Sequence, residues 1–421
     1  MMLEKGNAKI EKYLFYLTLI FSCLAYTGYY LYARRNGIAL LISYGRSNKV
    51  MMQARSPLIM FFRFGKDLCA SLLLFVEIFS MNRSYRVKIF LVMLLVTAYG
   101  TIIAYANNAS ESILVAGYRM VVFFFALLMY FNARYFSPLS LKAFFKLISV
   151  LLILNTVIAA NQAYFRLGSR LKLIGKGSYR FMGVFPAAAA FAYFCLGTAL
   201  FAYCIEVQTR AYHSYCVIIF AFAFIGCYLS GTRSSMINFL VIMYVYIIDK
   251  LNLLKAKRAV FLIIMALPVI TLIIRFSSKL ANRGSILGNA LGGGRLTIFI
   301  NSIFGQPLIN IIFGSGLGAG SNSAAVIMIG SGSKEVVILD GTFTSIFYQF
   351  GIIGFAVCLA FLWKAASRIY SENGFLNTVL FTGSVVLQCL TTNVLEAFAL
   401  LIMLFITYYA FVKGEEVFDS L

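Results

Sequence analysis

Two stretches of this 421-residue chain concentrate arginine and lysine where acidic residues are scarce. From Asn161 to Phe185 stand Arg166, Arg170, Lys172, Lys176 and Arg180, with no Asp or Glu among them. From Phe276 to Asp340 stand Lys279, Arg283, Arg295 and Lys334, with Glu335 and Asp340 only at the far end. Such a surface suits an anion with several oxygens, a diphosphate above all. The planar guanidinium fork meets two oxygens at once in fixed geometry, and it favours a leaving diphosphate most as its charge develops. Arg180, Arg295 and Arg233, the last in the short turn Ser230–Ser235, are the leading candidates. Arg166, Arg283 and Arg170 follow, with Tyr179 beside Arg180 offering an aromatic face. The competing role for each arginine is contact with lipid phosphates.

A hydroxyl acting as nucleophile near such an anion needs a base, and a carboxylate serves. Glu111, Glu335 and Asp340 are the acids placed on the same side as the two basic stretches, and Asp340 is preferred because it stands where a long loop meets an apolar run. Its competing role is a helix N-cap. Tyr164, Phe181, Phe343 and Tyr348 are further candidates for stacking on sugar rings, against the commoner role of anchoring at a lipid interface. The glycines Gly292–Gly294 and Gly314, Gly316, Gly318 and Gly320 allow either a close approach of backbone to a bulky ligand or simple flexibility.

The elements that must hold these residues are membrane helices. Hydrophobic residues make up 62% of the chain, too many for a soluble core of this length to hide. Continuous apolar runs lie near 13–33, 57–80, 87–106, 113–132, 143–161, 186–206, 212–230, 233–249, 258–275, 341–364, 375–393 and 395–412. At roughly 20 residues per crossing this predicts an all-α, polytopic membrane bundle of about twelve transmembrane helices. The runs do not alternate, which excludes barrel strands. The bundle forms one integral membrane domain over 1–421, with two large outer loops, 161–185 and 276–340, expected to carry short helices. The first run is read as a retained span, because it is too long for a signal-peptide core and lacks a small-residue cleavage site.

With the N-terminus inside, Arg83, Arg86, Lys88, Arg134, Lys142, Arg210, Lys250, Lys255, Lys257, Arg258, Lys364 and Arg368 fall in inner loops, as the charge rule requires. The segment 34–56, with five Lys and Arg residues, fits that orientation poorly. Net charge is +22, yet the basic residues sit between apolar runs, so membrane phospholipids rather than nucleic acid are the implied partner. The eight cysteines lie in or beside apolar runs without a CxxC pair and read as small buried hydrophobes, not a metal site. The outer loops have no His or Cys to hold a metal, and no cofactor is expected. Arg63, Lys66, Asp67, Glu77 and Glu396 fall inside apolar runs, where charge is costly. Asp67 is expected to pair with Lys66 or Arg63, and Glu396 to lie near the outer face. The lone His213 opens a span on the inner side.

Four patches, in this order, resemble the O-antigen polymerase (Wzy) and O-antigen ligase superfamily. They are Arg180-Phe-Met-Gly183-Val-Phe-Pro186, Ser230-Gly-Thr-Arg233-Ser-Ser235, Gly294-Arg295-Leu-Thr-Ile-Phe299, and Phe313-Gly-Ser-Gly-Leu-Gly318 followed by Asp340–Gly354. An arginine stands eleven residues before a glycine in both loops, Arg166 before Gly177 and Arg283 before Gly294, a pattern described for such polymerases. The resemblance implies a GT-C-like membrane glycosyltransferase of the bacterial inner membrane, with its site on the periplasmic face. Its substrate would be an undecaprenyl-diphosphate-linked oligosaccharide, and a separate chain-length regulator would be a partner. O-antigen ligases are the near alternative. Their histidine in the second large loop has no counterpart here, which favours polymerase. A flippase for the same lipid-linked unit is the alternative of a different class, although no internal repeat is visible.

Overall fold

A computed structural model describes residues 2–25, 27, 30–31, 35, 57–79, 84–132, 138–165, 169–171, 178–185, 187–209, 212–250, 300, 305–321, 339 and 341–418. Over these residues the fold is helical apart from one small hairpin. In chain order the elements are α1 (Met2–Leu24), α2 (Pro57–Phe79), α3 (Ser84–Ala106), α4 (Glu111–Asn132), α5 (Pro138–Tyr164), β1 (Ser169–Leu171), β2 (Ser178–Arg180), α6 (Ala188–Thr209), α7 (His213–Ser230), α8 (Arg233–Lys250), α9 (Leu308–Phe313), α10 (Thr342–Thr391) and α11 (Phe398–Phe418).

Six of the described helices (α3 to α7 and α10) are long and apolar enough to cross a membrane. Their outward faces carry Leu95, Ile102, Val150, Val157, Val357 and Trp363, all exposed, while serines, threonines and asparagines are turned inward. A bundle apolar on the outside and polar at selected points within belongs in a bilayer. The central helix is α6, in which every residue from Phe191 to Glu206 is buried. It packs against α5, α7, α8 and α11. Aromatic side chains fill the surrounding core, for example Phe15 stacked on Tyr130 at 4.5 Å and Phe123 on Phe398 at 4.1 Å.

Two glycines break α10. Gly351 (φ 63°, ψ −161°) and Gly374 (φ 74°, ψ −175°) hold backbone angles that essentially only glycine adopts. Gly374 stands between the two predicted spans 341–364 and 375–393, and the chain reverses there: Thr342 N donates to Thr392 O at 3.0 Å, joining the two ends of the segment. At the N-terminus α1 begins at Met2, well before the apolar run at 13, because polar helix formers such as Glu4, Lys5 and Lys9 continue a helix that hydropathy alone does not register. The expected span 258–275 and the awkward 34–56 segment, except Arg35, lie outside the described residues.

The first large loop differs from expectation. α5 continues to Tyr164, and the loop then forms an antiparallel hairpin, not a short helix, with Ser169 opposite Arg180, Arg170 opposite Tyr179 and Leu171 opposite Ser178. Within 276–340, the described residues include one short helix, α9.

Candidate functional site

The hairpin delivers Arg180 to the end of α7. Phe181 N donates to Leu229 O at 3.1 Å, so the strand's exit runs along the last turn of that helix. Gly231 then closes α7 in the left-handed conformation, the usual helix stop. Arg180 reaches across this turn, with Nε donating to Ser230 O at 2.8 Å and Nη2 to Thr232 Oγ1. The next residue, Arg233, opens α8. Two candidate arginines far apart in sequence are thereby anchored at one turn.

The segment after Arg180 is fixed from behind by α5. Gln162 Nε2 donates to Gly183 O at 2.6 Å, and its Oε1 accepts from Met182 N and Gly183 N, each at 3.1 Å. Asn155 Oδ1 accepts from Val184 N at 3.1 Å. Both side chains are fully buried, so these bonds satisfy main-chain groups that have no access to water.

Polar contacts continue from the turn across the same end of the bundle. The Tyr193 hydroxyl lies 2.6 Å from Ser234 Oγ and also bonds Thr391 Oγ1. Beyond Thr391, Asn393 Nδ2 donates to Ser345 Oγ and to Glu396 Oε2, both at 3.2 Å. Gln349 Nε2 donates to Ser345 Oγ at 2.9 Å, and Gln349 Oε1 accepts from Gly318 N at 3.1 Å. Three of the four sequence patches thus converge on one end of the molecule: the Arg180 segment, the Ser230–Ser235 turn, and the glycine turn with the start of α10. The Gly294–Phe299 patch lies outside the described residues.

Among the candidates, Arg180 is placed with its side chain, and two of its donors are committed to the turn. Arg233, Arg170 and Tyr179 are placed by backbone, Arg170 and Tyr179 facing each other across the hairpin. Arg166, Arg283, Arg295 and Asp340 lie outside the described residues, as does Glu335. The chain on either side of Asp340 is located: Leu339 N donates to Gly320 O at 3.1 Å, and Gly341 is the N-cap of α10.

Two expectations are corrected. Phe343 is buried and meets Phe355 edge-on at a ring distance of 6.0 Å, so its face is taken by the core and not offered to a sugar. The glycine turn approaches the protein's own chain rather than a ligand: a Cβ on Gly318 would lie 2.0 Å from Ile113 O. Glu396 follows the polar turn Thr391–Asn393 at this end and is bonded to Asn393. Tyr193 and Gln162 were not signalled by the sequence, since one falls inside an apolar run and the other is a lone amide.

The far end of the bundle is different in kind. His213 opens the 18-residue α7, and Ser230 at its other end is about 25 Å away. Its Nδ1 lies 2.8 Å from Tyr246 Oη and 3.4 Å from Glu206 Oε1, and Lys250 Nζ also bonds that carboxylate. His213 thus ties three helix ends together, remote from Arg180. All eight cysteines are free, seven of them buried. No protein-family model matches this chain, and no curated protein matches it.

Proposed function

We propose that this chain is a membrane glycosyltransferase that polymerises lipid-linked oligosaccharide repeat units. The growing glycan would pass from undecaprenyl diphosphate to a hydroxyl at the non-reducing end of a new lipid-linked unit. The acceptor oxygen bonds to the anomeric carbon, the bond from that carbon to the diphosphate oxygen breaks, and the lipid diphosphate leaves with the electron pair. The acceptor proton goes to a carboxylate, for which Asp340 is the candidate. Arg180, Arg233 and Arg295 would neutralise the leaving diphosphate, with Arg166, Arg283, Arg170 and Tyr179 lining the substrate path. The bundle would have about twelve spans and lie in the bacterial inner membrane, with the Arg180 end on the periplasmic face.

The observation that carries this reading is the junction at the end of α7. Arg180 bonds the turn that leads directly into Arg233, on the side of the bundle that also gathers the polar residues of the Thr391–Glu396 turn. The position of the only histidine at the far end speaks for polymerase over ligase.

The test that separates enzyme from flippase uses sealed vesicles containing the purified protein and a fluorescent lipid-linked repeat unit. Longer glycans formed without transfer of the unit between leaflets support the proposal. Leaflet exchange without any longer product overturns it.

A further inference from the structure

A second charged group lies inside the bundle, apart from the Arg180 turn. Lys66 and Asp67 on α2 meet Arg119 on α4. Arg119 Nη2 is 2.8 Å from Asp67 Oδ2 and 3.1 Å from Oδ1, and Lys66 Nζ is 3.3 Å from Oδ1. These residues stand eight to ten positions inside their helices, a depth of about 12–15 Å from the helix starts. Two cations, Lys66 and Arg119, share one carboxylate there.

The carboxylate does not saturate its partners. The Lys66 side chain is 9% exposed, and its ammonium rests over the Phe398 ring, 3.9 Å from the centroid. Arg119 Nε is buried and has no hydrogen-bond acceptor among the described residues. A surplus of positive charge and an orphan donor at this depth are expensive unless an anion completes them. The cluster is also open: the side chains of Asp67 and Arg119 are about one-third exposed, on the outward surface of α2 and α4. Exposed apolar residues stand near it along the same two helices. Phe64 and Leu68 flank Asp67, and Val115 stands one turn above Arg119. A cationic group beside exposed apolar side chains fits an amphiphile, not a free soluble anion.

We infer that Lys66 and Arg119 form a binding site for the phosphate of a membrane lipid, with its acyl or prenyl chain lying along Phe64, Leu68 and Val115. Phe398, which carries the Lys66 ammonium, follows the Thr391–Glu396 turn by two residues, so the site adjoins the polar end of the bundle. The assignment stands on this geometry alone and does not require glycan transfer.

The test is binding without turnover. The full-length protein in an uncharged detergent is titrated with undecaprenyl diphosphate, with phosphatidylglycerol and inorganic diphosphate as competitors. Lys66→Met and Arg119→Gln are each expected to weaken binding by about tenfold, as loss of one charge-assisted hydrogen bond predicts. Arg119→Lys keeps the charge and the Asp67 pair, and it should weaken binding severalfold. It decides the matter with Lys66→Met if Arg119→Gln does not fold. Competition by phosphatidylglycerol as strong as self-competition supports the site and makes it general for lipid phosphate. Binding unchanged in folded Lys66→Met and Arg119→Lys overturns the site, and equal competition by inorganic diphosphate overturns its lipid character.

Discussion

The Arg180 guanidinium donates through Nε to the main-chain oxygen of Ser230 at 2.8 Å, across fifty residues of sequence. Together with the Thr232 bond it fixes the turn from which α8 starts. Thr232→Val removes one of these bonds and should lower stability by about 1 kcal/mol, whereas Arg180→Ala removes both and should cost about 1.5–3 kcal/mol. Arg180→Lys should recover less than half, because a single ammonium cannot reproduce the planar fork. Thermal unfolding in one detergent reads all three.

Tyr193 bridges α8 and the end of α10 through Ser234 and Thr391. Tyr193→Phe keeps the buried ring and loses only the hydroxyl. It should cost about 1 kcal/mol of stability. It should also raise protease sensitivity in the Thr391–Glu396 turn, read by limited digestion.

Glycine substitutions should divide by surroundings. Gly318 has φ 85°, and a Cβ there would collide with Ile113 O, so Gly318→Ala must displace backbone and should prevent accumulation of folded protein. Gly374 has φ 74° with open space around it, so Gly374→Ala pays only for the strained backbone, about 1–3 kcal/mol. Expression and size-exclusion profiles of the two variants distinguish these outcomes.

Arg86 and Glu77 form a buried pair at 3.0 Å, with Glu77 fully enclosed. Arg86→Met leaves that carboxylate without its cation and should destabilise the protein by about 3–5 kcal/mol. Glu77→Gln with Arg86→Met should recover only part of that loss, because the buried Glu11 carboxyl beside Glu77 stays in place. Melting temperatures of the single and double variants supply the comparison.

The helices were legible because their signal is local. The runs at 87–106 and 113–132 coincide with α3 and α4 to within a few residues, since an unbroken apolar stretch has few other destinations. The hairpin of the first loop was not legible. Its strands, Ser169–Leu171 and Ser178–Arg180, are three residues each, too short to show an alternation. Arg119 escaped notice as a single charge in an apolar run, and its partner Asp67 is 52 residues away, a distance no spacing rule covers. At the site, the sequence picked out Arg180 as a charge for a ligand. It held no sign that Ser230 and Thr232 would claim two of its donors, because that depends on where β2 ends relative to α7.

The most direct test of the proposed function is polymerisation by the purified, reconstituted protein supplied with a lipid-linked repeat unit. The account predicts a ladder of glycans from the wild-type protein. It predicts that the ladder collapses in folded Arg295→Ala and Arg180→Ala, and in Asp340→Asn if that carboxylate takes the acceptor proton. The absence of a ladder from folded wild-type protein, or a ladder undiminished in both arginine variants, would contradict it.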